Sequence, residues 1–472
     1  IEYWHRIWET STSFECSNPL INEIYNWGFF KYQSMTSCLG GKPAGLQGPW
    51  VEDEIFPPWS NDYHFNINVE MYYWPSYKTG RWENLEPLFA MVKGWKQLMH
   101  DNAKNFVGID DGYLIAHAVD DHGANMGNFW SGTIDFGCSA WIAQMMGECY
   151  DYTGDASYLK EFGYEFMRGV FNVYYATLEK DADGKWCLPL GVSPEYRGDE
   201  LNAWGVNSSF QLAALHRVIK DLIRLAPVMN FELDARWLDV QRNLPQYSEN
   251  MAPGHAKPLV GLWNGLPLEY SHRHHSHMAG ICPFNTMCPD NPAYHDILQS
   301  TYLHWGKMGM GQWSGWSMPW AAMIHNRMGN GDMAETVMEL WARLYRNVGG
   351  GSTHDPVVPC FGVDFQLPPS IMQMDATGGM VAAILDLLVY DYDGVLNVAN
   401  HLPSTWRSLE VKRLHCPGGF LADIQLREGE LTIKLTAMRD TLLKVRRKDG
   451  TLLRNLDGMH FITPLLYPNR CD

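Results

Sequence analysis

The apolar residues of this 472-residue chain change their spacing once, near residue 395, and that change limits what the chain can fold into. Before it they recur every three to four residues. Met333, Val337, Leu340, Trp341, Leu344 and Tyr345 share one helical face. Asp332, with Glu335 three residues on, has the form of an N-terminal capping box. Gly329-Asn330-Gly331 separates this helix from one around Trp320 to Arg327, and Gly349-Gly350-Gly351 ends it. The same grammar occurs earlier, where Gly154 closes one helix and Asp155 opens the next. These hairpins hint at a repeated αα unit, although their sequences diverge too far to establish one. After the change, Phe420, Ala422, Ile424 and Leu426 alternate with polar neighbours, Glu428-Gly429-Glu430 turns the chain, and Ile433, Leu435 and Ala437 alternate again. That is an antiparallel hairpin, and Leu442 to Val445 offers a further strand. The expected chain is mainly α: a helical domain over 1–395 and a small antiparallel β domain over 396–472.

Several function classes are excluded at once. The net charge is −17 with no basic stripe, which removes the electrostatic footprint of a nucleic-acid binder and disfavours an anionic membrane surface. The longest apolar run, Met380 to Tyr390, is short for a bilayer and broken by Asp386, so no membrane span is expected. Ten cysteines without a CxxC, the nearest pair being Cys282 and Cys288, form neither a disulfide framework nor a zinc site. Twenty Trp, 23 Tyr and 19 Phe would suit sugar stacking, but composition alone favours the packed walls of a helical toroid as their role. The chain opens on Ile1 rather than Met, which points to a removed signal peptide or upstream domain.

Four loops carry polar clusters. In Asn61-Asp62-Tyr63-His64-Phe65-Asn66-Ile67-Asn68, the i and i+2 amides of an extended segment face one way and can hold a water or a sugar hydroxyl. An Asn-rich turn bonding its own backbone explains them as well. Glu195, after Ser193-Pro194 and among apolar residues, could have a raised pKa and act as a general acid, or could simply pair with Arg197. His272-Arg273-His274-His275-Ser276-His277 invites a metal reading. It lacks nearby Cys or paired carboxylates, and such histidines also donate to sugar hydroxyls. Asp375 stands before an apolar helix, as an N-cap or as a catalytic base held there. In a toroid of helix pairs these distant loops converge on one axial pocket. Two carboxylates could then flank a glycosidic bond, ~6.5–9.5 Å apart if the reaction inverts.

In combination these segments resemble glycoside hydrolase family 95, whose members include α-L-fucosidases and α-L-galactosidases. The resemblance runs through Leu46-Gln47-Gly48-Pro49-Trp50, Pro57-Pro58-Trp59, Asn66-Ile67-Asn68-Val69-Glu70-Met71 and Tyr73-Trp74-Pro75. It continues through Ser193-Pro194-Glu195, His272-Arg273-His274, Ser276-His277 and Gly315-Trp316-Ser317. Trp320, Leu340-Trp341-Ala342-Arg343-Leu344, Gln373, Asp375, Gly379, Leu402-Pro403, Trp406 and Gly418-Gly419-Phe420 complete it. It implies an (α/α)6 barrel with a C-terminal β-sandwich domain, the family's N-terminal β-sandwich lying upstream. It also implies an inverting, exo-acting hydrolase that removes a terminal α-linked L-fucose- or L-galactose-like sugar from an oligo- or polysaccharide.

By this resemblance Glu195 is the general acid, Asp375 the catalytic Asp, and Asn66 and Asn68 the amide pair that positions the attacking water. Glu195 must then be protonated near neutral pH and Asp375 ionised. Arg273 and His274 contact substrate, and His64, Asp121 and Trp130 line the sugar pocket. No metal and no cofactor are expected, and a polysaccharide-degrading role implies a secreted or periplasmic location. The sequence departs from the family at Tyr72, Tyr77, Ser209 and Ala376-Thr377-Gly378-Gly379, which bears on the sugar rather than on the reaction type. Two other readings use the same residues. A polysaccharide lyase on a helical toroid could employ Tyr63, His64, Asn66 and Arg273. A non-catalytic glycan-binding homologue would have kept the pocket alone, although both carboxylates are present.

Overall fold

The computed structural model describes residues 1–37, 41–51, 56–127, 130–357, 371–446 and 450–452, with the backbone of 453–454 and 460–464. The chain is mainly helical up to Asp386 and rich in β structure after it. Helix Asp375–Asp386 packs on Asn68–Tyr73 on one side and on Ser317–Arg327 on the other. Asn68–Tyr73 packs on Gly137–Thr153, which packs on Ser209–Met229. Ser209–Met229 touches the turn Ser276–Met278, and the adjacent His275 donates from Nε2 to the Ser317 carbonyl at 3.0 Å. Followed from neighbour to neighbour, these contacts return to the starting helix.

Burial separates an inner from an outer set. Every residue of Asp375–Asp386 and of Ser317–Arg327 is buried, as expected for helices surrounded by protein on all sides. Pro19–Thr36, Tyr164–Thr177 and Gly331–Leu344 pack against this inner set. Gly331–Leu344 buries one face, through Ala334, Val337, Met338 and Trp341. Its cap differs from the expected capping box. Asn330 is the N-cap and accepts from the Met333 amide at 3.1 Å, while Asp332 lies in the first turn. Both expected capping carboxylates reach out of the helix instead. Asp332 accepts from the Ser404 hydroxyl at 3.0 Å, and Glu335 accepts from Trp406 Nε1 at 2.7 Å and Asn18 Nδ2 at 2.8 Å.

The larger sheet runs Ser13–Cys16, Leu409–Cys416, Phe420–Arg427, Glu430–Ala437 and His460–Pro464, antiparallel throughout. Phe420, Ala422, Ile424 and Leu426 are buried in alternation, as their spacing predicts. Glu428 (φ 52°) and Gly429 (φ 82°) make the two-residue turn, whose positive φ values match the twist of the flanking strands. Two expectations need correction. The β region begins at Val389, so a boundary at 395/396 cuts the hairpin Val389–Tyr392/Val395–Val398. A fully buried helix runs directly into a buried strand there, leaving no alternation to mark the change. The second sheet is also not wholly antiparallel, because Val395–Val398 pairs in parallel with Lys444–Arg446. Side-chain alternation does not encode the direction of pairing.

Candidate active site

The sequence-predicted residues gather where the inner helices begin. The chain enters the helix Asn68–Tyr73 directly after Asn66 and Ile67, so the two amides do not share the face that an extended segment would give them. They take separate carboxylates. Asn66 Nδ2 donates to Glu195 Oε1 at 2.9 Å, and Asn68 Nδ2 donates to Asp375 Oδ2 at 2.6 Å. Asp375 is the first residue of its helix, and Met374 is the N-cap. Its Oδ1 accepts from the Ala376 amide at 2.7 Å, so both oxygens are held. Complete burial raises its pKa to about 6, against the pull of Asn68 and the Ala376 amide. Even at a helix N-terminus, burial thus raises this carboxyl above its ordinary value, while leaving it ionised at neutral pH.

Glu195 sits on a loop pinned from three sides. Gly191 and Gly205 exchange two backbone hydrogen bonds of 2.9 Å, Ser208 Oγ donates to the Val192 carbonyl at 2.7 Å, and the Ser193 and Ser276 hydroxyls meet. This frame holds Glu195 at φ 58°, a left-handed conformation that costs a non-glycine residue about 1–3 kcal/mol. The result turns its carboxylate toward the Asn66 amide and the histidine loop. Arg273 Nε and Nη2 both lie 2.7 Å from Oε2, and His274 Nε2 lies 3.2 Å from the same oxygen. Burial pushes the Glu195 pKa up, but Arg273 above all, with His274, holds it well below the usual range. The expected elevation is thus reversed in the free protein, because the guanidinium that reaches Glu195 is Arg273. Arg197, the partner suggested by sequence, bonds Glu269 at 3.0 Å instead.

The other candidates divide. His274 is buried, and its ring meets Trp316 edge-on at 4.6 Å. His64 Nε2 lies 2.8 Å from Asp62 Oδ1, and its ring is 5.7 Å from that of His117. Trp130 borders the acid loop, donating from Nε1 to the Asp199 carbonyl at 2.9 Å. Asp121 pairs with Lys42 at 3.3 Å on an exposed turn and meets none of the other candidates. His275 has a packing role: it accepts from Trp305 Nε1 at 3.1 Å and donates to Ser317. Burial lowers the pKa of His272, His274, His275 and His277 alike, to about 3 at His277. Among the described residues, no group of three His, Cys, Asp or Glu side chains is arranged to hold a metal ion.

Sequence reading missed His117, Ser131 and Asp135. With Asn66, Val192 and Glu195 they wall a cavity of about 10 Å³ beside the carboxylate. The only cue was a lone acid in the apolar stretch Ile134-Asp135-Phe136. A far larger cavity, about 500 Å³, opens at the other ends of the inner helices, among Lys78, Glu148, Asp151, Arg217, Arg224 and Arg439. It contains neither Glu195 nor Asp375, so its size does not make it the reaction site.

A ring-like packing of helices brings buried Asp375 and part-buried Glu195, each hydrogen-bonded to an amide, to one end, the kind of carboxyl pair that glycoside hydrolysis uses. The chain belongs to glycosyl hydrolase family 95, whose catalytic-domain model matches residues 3–388. It is 27% identical over 439 residues to alpha-L-fucosidase 2 of Arabidopsis thaliana, covering 87% of this chain and 48% of that protein. It is 29% identical over 180 residues to a probable alpha-fucosidase A of Aspergillus niger, covering 37% and 22%. The chain thus spans about half the length, or less, of these relatives. A putative kojibiose phosphorylase from the human microbiome superposes with a TM-score of 0.63 at 11% identity, over 98% of this chain and 64% of that one. A GH78 family rhamnosidase of Bacillus sp. GL1 gives 0.56 at 14%, over 94% and 43%. At such identities the likeness is one of fold alone.

Proposed function

We propose that this chain is the catalytic part of an inverting, exo-acting hydrolase. It removes a terminal α-linked L-fucose- or L-galactose-like sugar in an (α/α)6 barrel formed by the helical part up to Asp386, completed by the β domain that begins at Val389. The observation that carries this reading is the split of the amide pair, with Asn66 on Glu195 and Asn68 on Asp375. Two amides so close in sequence tie two carboxylates, 180 residues apart, to one site. Glu195 gives its proton to the leaving oxygen. Water held by Asn68 attacks from the other face and loses its proton to Asp375, since an amide is too weak a base to keep it. The curated relatives named for fucose support the sugar class.

The ionisation found in the free protein fits once substrate is considered. Sugar hydroxyls that draw Arg273 and His274 leave Glu195 with burial as its dominant influence, and burial favours the protonated acid. The test is the anomeric form of the first product by proton NMR, together with Glu195→Gln and Asp375→Asn. Each substitution should lower kcat by about 10²–10⁴-fold. A good leaving group should partly rescue Glu195→Gln alone. Retention of configuration would sink the inverting mechanism. An unsaturated product absorbing in the ultraviolet would assign the site to a lyase.

A further inference from the structure

Glu195 must carry a proton to act as an acid, yet Arg273 and His274 keep it ionised before substrate arrives. A second carboxyl group lies close to it. Asp135 is 2% exposed and stands two residues before helix Gly137–Thr153. Its Oδ1 accepts from Gln211 Nε2 at 2.6 Å, and Gln211 Oε1 in turn accepts from the Tyr174 hydroxyl at 2.6 Å. This chain of bonds fixes the carboxyl in place. Asp135 and Glu195 are the two acids on the wall of the 10 Å³ cavity, with Asn66, His117 and Ser131 supplying the other polar groups. That volume is close to what one water needs, about 10–15 Å³, and the wall is polar enough to hold it.

The groups facing Asp135 leave it room to carry a proton. They are Glu195, the buried Glu70, the Cys138 thiol, the Tyr174 phenol and His117. Burial favours the uncharged forms of all three, lifting Glu70 and Cys138 well above their usual ranges and dropping His117 to about 4. Among the described residues, no cation acts on Asp135. Burial, helped by repulsion from Glu195 and opposed mainly by the Gln211 hydrogen bond, brings its pKa to about 7.

We propose that Asp135 is a positioning and proton-supplying residue that recharges Glu195 through one water in the cavity between them. The inference rests on Glu195 being the acid. When sugar hydroxyls take Arg273 and His274, the Asp135 proton passes to the cavity water as that water gives a proton to a Glu195 oxygen. Asp135 becomes a carboxylate and Glu195 a carboxylic acid. Glu195 then protonates the leaving oxygen as the glycosidic C–O bond breaks. The attacking water forms the new C–O bond and loses its proton to Asp375. Asp375 releases that proton to solvent, and Asp135 takes one back, so the cycle closes with one water consumed.

Infrared difference spectra of the whole protein between pH 5.5 and 8.5 read the proton directly. A protonated-carboxyl band titrating near pH 7 is expected, and it should be missing in Asp135→Asn. On a natural glycan Asp135→Asn should lose roughly 10²-fold in kcat, with the alkaline limb of its pH profile altered. On an aryl glycoside with a good leaving group the loss should be about tenfold smaller than on the natural glycan, and Asp135→Glu should restore most of it. If Asp135→Asn does not fold, the wild-type band and its displacement in Asp135→Glu still decide. An unchanged natural-glycan rate and pH profile in Asp135→Asn, or no carboxyl band titrating near 7, overturns the relay. Normal activity of Glu195→Gln on the natural glycan would instead remove the acid assignment beneath it.

Discussion

Glu195 and Asp375 stand, in the free protein, with their proton affinities opposite to the order that the proposed reaction requires. The cause is local: one has a guanidinium beside it, and the other is buried and held by amides. For kcat/KM, which reports the free protein, the base must be ionised and the proton source protonated. Asp375, raised to about 6, loses its charge as pH falls through that value, which gives an acid limb. Asp135, raised to about 7, loses its proton as pH rises, which gives the alkaline limb. A narrow bell between these values is expected, and Asp375→Asn should abolish the acid limb in whatever activity remains. Arg273→Ala should raise the Glu195 pKa, read by NMR of carboxyl-labelled Glu, while weakening substrate binding; no upward movement would mean that Arg273 is not what holds it down. The sequence made Glu195, Asp375, Arg273 and His274 legible because unusual polar residues cluster there. It left out which residue pairs with which. The choice of Arg273 over Arg197, and the separation of Asn66 from Asn68, follow from a turn and a left-handed residue that periodicity does not record.

Helices and strands were legible where one face alone is buried. Gly331–Leu344 and the strands Phe420–Arg427 and Glu430–Ala437 expose their other face, so their period shows. Wholly buried elements have no period, and there the helix-to-strand change at 386–389 disappeared. What fixes those elements is chemistry at their ends. Asp386, fully buried, accepts from Lys78 Nζ at 3.0 Å, Arg327 Nη2 at 2.9 Å and Asn326 Nδ2 at 3.0 Å, joining its own helix to the ends of Pro75–Thr79 and Ser317–Arg327. Burial would raise its pKa, but Arg327 and Lys78 outweigh it and hold it low. That stabilisation is present above the unfolded Asp value and is lost only as pH falls through the depressed one, so it is intact at neutral pH. Asp386→Asn leaves two buried cations short of a partner and should cost about 3–5 kcal/mol in urea unfolding; a loss below about 1 kcal/mol would show that water replaces the carboxylate freely.

At the scale of the molecule, the two ends of the described chain are built into one sheet. Ser13–Cys16 pairs with Leu409–Cys416, from Ser13 opposite Lys412 to Cys16 opposite Leu409. The Thr12 hydroxyl lies 2.7 Å from the carbonyl oxygens of both Lys78 and Arg413, so it sits where helix ring and sheet meet. Arg413 donates to the Ser11 carbonyl at 2.8 and 3.1 Å. Phe14 packs its ring against Tyr25 of the helical part at 5.2 Å and against Trp406 at 5.8 Å. The sheet therefore cannot part from the helices without baring Phe14 and freeing an edge strand, which is both a loss of burial and an exposed pairing surface. Phe14→Ala removes the ring that spans the junction and should cost about 3–5 kcal/mol. Because the junction is shared, that loss should move the helical and sheet signals together. Far-ultraviolet circular dichroism follows the helices, and the fluorine NMR signal of a fluorophenylalanine placed at Phe420 follows the β region. In wild type the two urea transitions should coincide, and in Phe14→Ala both midpoints should fall by the same amount. If the sheet melted first and the helices kept their wild-type midpoint, the two regions would be independent folding units, and the shared strand would be an attachment rather than part of a common core.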